Sequence, residues 1–306
     1  MIPALQGFAA AVLSELDAAG VASVAAELAS LERLVASEPA LAAALTDTGL
    51  APAVRRAVAT DLLATRIGAV SLRLVAEAIT VVPAQEVPMA ISWVANRARL
   101  SADRTYLEEP LSAMAARRRV GGFAAAVFAN LSIDELATVG SELFQVARLI
   151  SATSAVRAAL GDRELPAEAR SAFLRGLLEG KASAATVAIS AYVPLGGRAR
   201  DVVGTLDYLV VQAAQHRGWR VARVQSGAPL DDAQRAALSA SLEQLAHHPV
   251  ELNVTVDEAL LAGIIVEIGD LRLDDSLRGR LEVLREHVAT SKHQFVSQLT
   301  TNEGAS

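Results

Sequence analysis

The sequence predicts a mainly α chain that ends in a small α+β domain. The expected order is two tandem helical bundles, then strand, helix, strand, strand, helix. Three observations predict it. Of the 306 residues 52% are hydrophobic and only 4% aromatic, with alanine, the best helix former, supplying much of the apolar share. A block near the N-terminus recurs 115 residues later without a gap. Beyond about residue 218 the apolar period falls from three or four residues to two.

Gly7 to Val12 spell GFAAAV, and so do Gly122 to Val127. At this offset residues 7–79 match 122–194 at 25 of 73 positions, 15 of them not alanine. Alanine richness alone does not produce such a match, so the block is a duplication. Val21, Val24, Leu28, Leu31 and Val35 recur at helical steps in the first copy, and Leu136, Val139, Leu143, Val146 and Ile150 take the equivalent places in the second. Each set forms one core-facing stripe of a helix. Glu27/Glu142, Leu28/Leu143, Arg33/Arg148, Leu34/Leu149 and Leu45/Leu160 are shared pairs.

TDTGLAP and GDRELPA break the two copies in step, with Pro52 and Pro166 close to the start of the next helix, where a missing N–H costs least. Residues 1–105 and 122–218 are thus expected to be helical bundles. Residues 106–121 form a linking helix bent or started by Pro110. In WRVARVQS the alternation is poor; in VELNVTV it places Val250, Leu252, Val254 and Val256 on one face. Asp231 followed by Gln234 suits a capping box opening the helix between these strands. GIIVEIG reads as a third strand and SLRGRLEVLREHV as a closing helix, giving an α+β domain over 219–290. A polar tail follows over 291–306.

The net charge of -6 and pI near 5.5 leave no electrostatic footprint for nucleic acid. The basic run at Arg117, Arg118 and Arg119 reads as a solvated helix end. With no cysteine, disulfides and thiolate metal sites are excluded. No apolar run reaches the ~18 residues that cross a bilayer, and the first twenty residues lack a signal peptide's basic start and cleavage site, so a cytosolic chain is expected.

Catalytic, cofactor and metal residues are expected to be absent. GLLEGKA at 176–182 has three residues between its glycines where a phosphate loop needs four, and no Ser or Thr follows Lys181. His216, His247, His248, His287 and His293 show no HExxH spacing, and helix termini are the ordinary place for them. No serine stands in a GxSxG elbow. The carboxylate pairs Glu108-Glu109 and Asp231-Asp232 sit at helix starts, where the dipole favours negative charge. In VDEALLAGIIVEIGDLRLDDS, Gly269-Asp270 suits a hairpin turn, and Asp274, Asp275 and Ser276 suit the cap of a helix from Leu277. A calcium loop needs more alternating oxygens and a closing glutamate, and Arg272 and Arg278 oppose a cation there.

Residues 224–284 resemble the C-terminal domain of the delta subunit of F-type ATP synthases, the oligomycin-sensitivity-conferring protein family. The matching residues are Pro229 and Leu230 before the helix, Val256-Asp257, AGIIVEIGD with Gly263, Gly269 and Asp270, Asp274 with Ser276, and Arg280-Leu281. The family usually has Gly-Gly where this chain has Ala262-Gly263. The second repeat resembles the family's helical N-terminal domain, and the extra copy resembles the long actinobacterial form. The resemblance implies a non-catalytic peripheral-stalk, or stator, subunit that ties the catalytic head to the membrane sector and resists rotor torque. It implies as partners the N-terminal helices of alpha subunits and the stalk helices of subunit b. It further implies a place on the cytoplasmic side of the plasma membrane, reached only through those partners. The repeated bundles alone also permit a helix-binding adaptor of an unrelated complex.

Overall fold

The computed structural model describes residues 3–101, 111–162, 164–260 and 262–276. They fall into two compact units that divide between Ala213 and Ala214. The first is helical and the second holds a four-stranded sheet, so the mainly α fold with a small α+β C-terminal domain is as the sequence predicts.

The helical unit repeats with a regularity that sequence identity understates. Helices α1 (Pro3–Ser14), α2 (Ala18–Ser37), α3 (Pro39–Thr46), α4 (Pro52–Leu63), α5 (Ala69–Val81) and α6 (Val87–Ser101) make the first copy. Helices α7 (Ala113–Phe128), α8 (Ile133–Ala152), α9 (Ser154–Gly161), α10 (Ala167–Leu178), α11 (Ala184–Gly196) and α12 (Val202–His216) make the second. Adding 115 to the bounds of α2 through α6 reproduces those of α8 through α12. The duplication therefore runs past residue 79, where matching residues thin out, to the end of α6.

Both predicted stripes are buried throughout, from Val21 to Val35 on α2 and from Leu136 to Ile150 on α8. The last helices carry a matched stripe too: Val87, Ile91, Val94 and Ala98 on α6, and Val202, Leu206, Leu209 and Ala213 on α12. Helix starts follow local chemistry. Asp17 accepts from the Gly20 amide at 2.7 Å, and Ser132 and Glu135 form a capping box. Pro52 is the first residue of α4, and Pro166 directly precedes α10.

The basic run at 117–119 departs from expectation. Arg117 makes a two-pronged ion pair with Asp201, 2.7 Å at each prong, and Arg119 is buried with its Nε donating to the Gly196 carbonyl at 2.7 Å. Only Arg118 is exposed. A charge run reads as a solvated face only if no acceptor lies across a helix interface, and here a carboxylate and a helix-end carbonyl do. Residues 113–121 belong to the same helix as the GFAAAV segment; residues 102–110, with Glu108, Glu109 and Pro110, lie outside the described residues.

In the C-terminal unit β1 (Arg220–Ser226), β2 (Val250–Val256), β3 (Ile264–Ile268) and β4 (Leu271–Asp274) form a sheet in the order β2-β1-β3-β4. Strands β1 and β2 are parallel, from Arg220 opposite Val250 to Ser226 opposite Val256. A parallel pair needs a long crossover, supplied by α13 (Asp232–Ala246). Strand β3 runs antiparallel to both β1 and β4. Ala222, Val224, Val250, Val266 and Ile268 form the core with Leu242 of α13. Leu252 and Val254 pack on it as the alternation predicts, whereas Val256 is exposed and Asn253 is buried on the other face. The expected capping box is present, with the Gln234 amide 2.7 Å from Asp231 Oδ1 and the Asp231 amide 3.0 Å from Gln234 Oε1. The closing helix, Arg280 and the tail lie outside the described residues.

Candidate functional site

One end of the sheet gathers Asp257, Gly263, Asp274 and Ser276, four of the residues singled out in the sequence. The parallel and antiparallel registers bring together the ends of β1, β2 and β4 and the start of β3. The Asp257 amide donates to the Ser226 carbonyl at 2.8 Å, the Gly227 amide to Gly263 at 3.1 Å, and the Asp275 amide to Ile264 at 2.9 Å. The Asp257 carboxylate accepts from the Ala259 amide at 3.0 Å, closing a tight turn. Asp274 Oδ1 accepts from Ser276 Oγ at 2.6 Å and from its amide at 3.0 Å. Those two bonds hold the Asp274 carboxyl below the ordinary carboxylate range.

Gly263 explains its own identity at this end. Its φ is +88°, and a Cβ there would overlap the Asp275 carbonyl oxygen and lie 2.8 Å from Ser276 Cα. Any other residue would be strained and would push the β4 exit away. Pro229 and Leu230 lead into α13, with Leu230 packed on the sheet core. Gly269 and Asp270 sit apart, in the two-residue β3–β4 turn where Gly269 takes φ +57°. The Asp257 and Asp274 carboxylates accept local backbone and hydroxyl hydrogens. Their chemistry is that of turns and caps, and no group of three His, Asp or Glu among the described residues could hold a metal.

Other candidates resolve in the same way. Gly180 and Lys181 close the turn after α10, with Lys181 Nζ donating to the Leu177 carbonyl at 3.0 Å; a phosphate loop would follow a strand. His216 ends α12, where burial pushes its pKa down, and His247 ends α13 in the left-handed region at φ 54°. His287 and His293 lie outside the described residues. Arg217 holds the entry to the sheet, pairing with Glu251 at 2.8 Å and lying 4.6 Å over the Trp219 ring.

The helical unit offers surfaces stiffened by matched latches. In the first copy Glu27 on α2 accepts from the Gly68 amide at 2.8 Å and from Ser71 Oγ at 2.7 Å, at the start of α5. In the second, Glu142 on α8 accepts from the Ser183 amide at 3.0 Å and its Oγ at 2.6 Å, at the start of α11. Burial works to raise the Glu142 pKa, but the bonds from Ser183 and Thr186 outweigh it and the carboxyl sits low. Arg55, buried, donates to the carbonyls of Asp47 and Ile79, and its equivalent Arg170 donates to Leu160. Sequence showed these shared residues but not their partners, which lie up to 44 positions away and differ between copies.

The helices α1 and α7 meet through glycine. A Cβ on Gly7 would overlap the Arg119 carbonyl and come within 2.8 Å of the Phe123 amide nitrogen; a Cβ on Gly122 would overlap the Ala4 carbonyl and come within 2.9 Å of Ala4 Cα. Phe123 also stacks on Tyr192 of α11 at 4.0 Å between centroids.

The sequence profile of the family described as ATP synthase delta (OSCP) subunit matches residues 121–288, more than half of the chain. The chain belongs to that family. Of the residues that carry the resemblance, Asp257, Gly263, Asp274 and Ser276 lie at this sheet end, Gly269 and Asp270 lie at the hairpin, and Arg280 is beyond the described residues. The ATP synthase subunit delta of Streptomyces avermitilis is 30% identical over 278 residues, covering 91% of this chain and 93% of that one. That of Nocardia farcinica is 38% identical over 154 residues, and that of Corynebacterium kroppenstedtii 35% over 156; these matches take in about half of this chain and 57% of either relative. A Toxoplasma gondii mitochondrial ATP synthase chain aligns over 56% of this chain with a TM-score of 0.38 at 17% identity, too slight a likeness to bear on this delta-family fold.

Proposed function

We propose that this chain is a non-catalytic stator subunit of an F-type ATP synthase, tying the catalytic head to the membrane sector against the torque of the rotor. The observation that carries the proposal is the family match; the hydrogen-bonded turns built by Asp257, Asp274 and Ser276, three of the residues that carry the resemblance, support it. Load-bearing needs rigidity and gripping surface. The Glu27 and Glu142 latches and the buried Arg55 clamp supply the first, since each ties a loop or helix start to a neighbouring element. Helical bundles supply the second, because an amphipathic partner helix can lie in the groove between two of their helices.

In this reading residues 1–105 and 122–218 act as two helical domains, and 219–290 as the third. The second bundle, adjacent in sequence to the signature domain, takes the N-terminal helix of an alpha subunit, and the C-terminal domain meets the stalk helices of subunit b. The first bundle adds stalk contacts or stiffness. Attachment to the cytoplasmic side of the plasma membrane then comes through partners; no helix among the described residues is long and apolar enough to cross a membrane.

The experiment is a titration of the full chain with a photo-crosslinkable peptide of the alpha N-terminal helix, followed by mapping of the cross-links. Saturable binding with cross-links on 113–213 is expected. Cross-links confined to 3–101 would reverse the assignment of the bundles, and no binding at all would remove the alpha contact. An adaptor of an unrelated complex would bind neither alpha nor b.

A further inference from the structure

We infer that the crossing of α1 and α7 is a homodimer interface carried inside one chain, so that the face of α1 around Gly7 is self-complementary and docks a second copy of itself when α7 is displaced. Gly122 is Gly7 moved by 115, and Arg119 is Ala4 moved by 115. The close approaches are reciprocal under the same shift: Gly7 faces the carbonyl of 119, and Gly122 faces the carbonyl of 4. Contact of i with j and of j with i is the signature of a two-fold, isologous interface. Here the two surfaces are copies within one polypeptide, and the equivalent GFAAAV segments fill both sides.

The seated helix, rather than the small residues alone, identifies the occupant. Helix α1 already accepts a helix of its own repeat sequence at backbone contact distance, and another α1 offers the same glycine, the same carbonyl and the same neighbours, Leu5, Phe8 and Ala11, all buried here. Charge selects α1 over α7 as the pairing face. Ala4 and Leu5 of α1 are uncharged, whereas α7 carries Arg119, which reaches the Gly196 carbonyl of its own bundle. Two α7 helices would bring two buried guanidinium groups together; two α1 helices bring none.

The test is the mass of the full chain in solution, by light scattering, with helical circular dichroism recorded alongside. The wild-type chain is expected at the mass of one copy. Gly122→Leu forces α7 off α1, leaves Gly7 intact, and is expected to double the mass. Gly7→Leu combined with Gly122→Leu removes both faces and is expected to return to one copy. Gly122→Ala is the second variant, since a Cβ alone makes the overlap and alanine is the better helix former. One-copy mass for both Gly122 variants overturns the inference, and so does a doubled mass in the double variant. Loss of the helical signal in both Gly122 variants overturns it as well, because it requires each half to keep its helices when the joint opens.

Discussion

Ser190 on α11 and Thr205 on α12 are fully buried, and neither hydroxyl makes a hydrogen bond to a described residue. The first copy answers what belongs there: the equivalent positions hold Val75 and Ala90, both buried and apolar. Thr205→Val keeps the shape and removes the hydroxyl; Ser190→Ala removes it without adding volume. An unsatisfied buried polar group costs about 1–3 kcal/mol, and part of that is offset by imperfect packing of the replacement, so each change should stabilise by about 1 kcal/mol. In a unit of this size that raises the thermal midpoint by roughly 2–4 °C. Alanine also has the better helix propensity, so Ser141→Ala at an exposed site of α8 measures that part alone. Thermal unfolding of the full chain followed at 222 nm reads the result. Most substitutions of buried residues destabilise, so a midpoint unchanged or lowered in Thr205→Val, with Ser190→Ala no better than the Ser141 control, would refute the reasoning.

Glu142→Ala should destabilise the helical unit by about 1–2 kcal/mol through loss of charge-assisted bonds to Ser183. Because the folded pKa of Glu142 is lowered, its contribution is whole above the unfolded carboxyl value of ~4.3. It fades as pH falls through the folded value, so the gap between variant and wild-type midpoints should close in acid. In the sheet unit Gly263→Ala forces a side chain into φ +88° and against the Asp275 carbonyl, and a loss of at least ~1–3 kcal/mol is expected by denaturant titration. Glu251→Ala strands Arg217, whose side chain is only 8% exposed, and should cost about 3 kcal/mol; a loss below ~1 kcal/mol would mean that the Trp219 ring and solvent already satisfy the guanidinium.

The sequence disclosed most where burial demands a pattern. The stripes of α2 and α8 follow from apolar residues at helical steps, and both are buried as expected. Its repeat faded after residue 79 because burial on α6 and α12 preserves apolar character rather than identity: Ile91 faces the core as Leu206 does, and Val94 as Leu209 does. The signature residues of the sheet end were visible, but their convergence was not, since it depends on a register pairing Ser226 with both Val256 and Ile264. Arg117 and Arg119 were misread because the acceptors at Asp201 and Gly196 lie about eighty positions away. The Gly7–Gly122 approach was present as a repeated glycine, yet repetition gives no hint that the two copies touch.

As a stator subunit, the role proposed above, this chain would bear load by gripping other subunits of a rotary ATP synthase. Native purification of that complex through a tag on this chain tests it most directly. Alpha and b subunits are expected to come down with it in fixed ratio, with ATP hydrolysis in the assembled complex and none from this chain by itself. Recovery of the tagged chain alone, or with neither subunit, would contradict it.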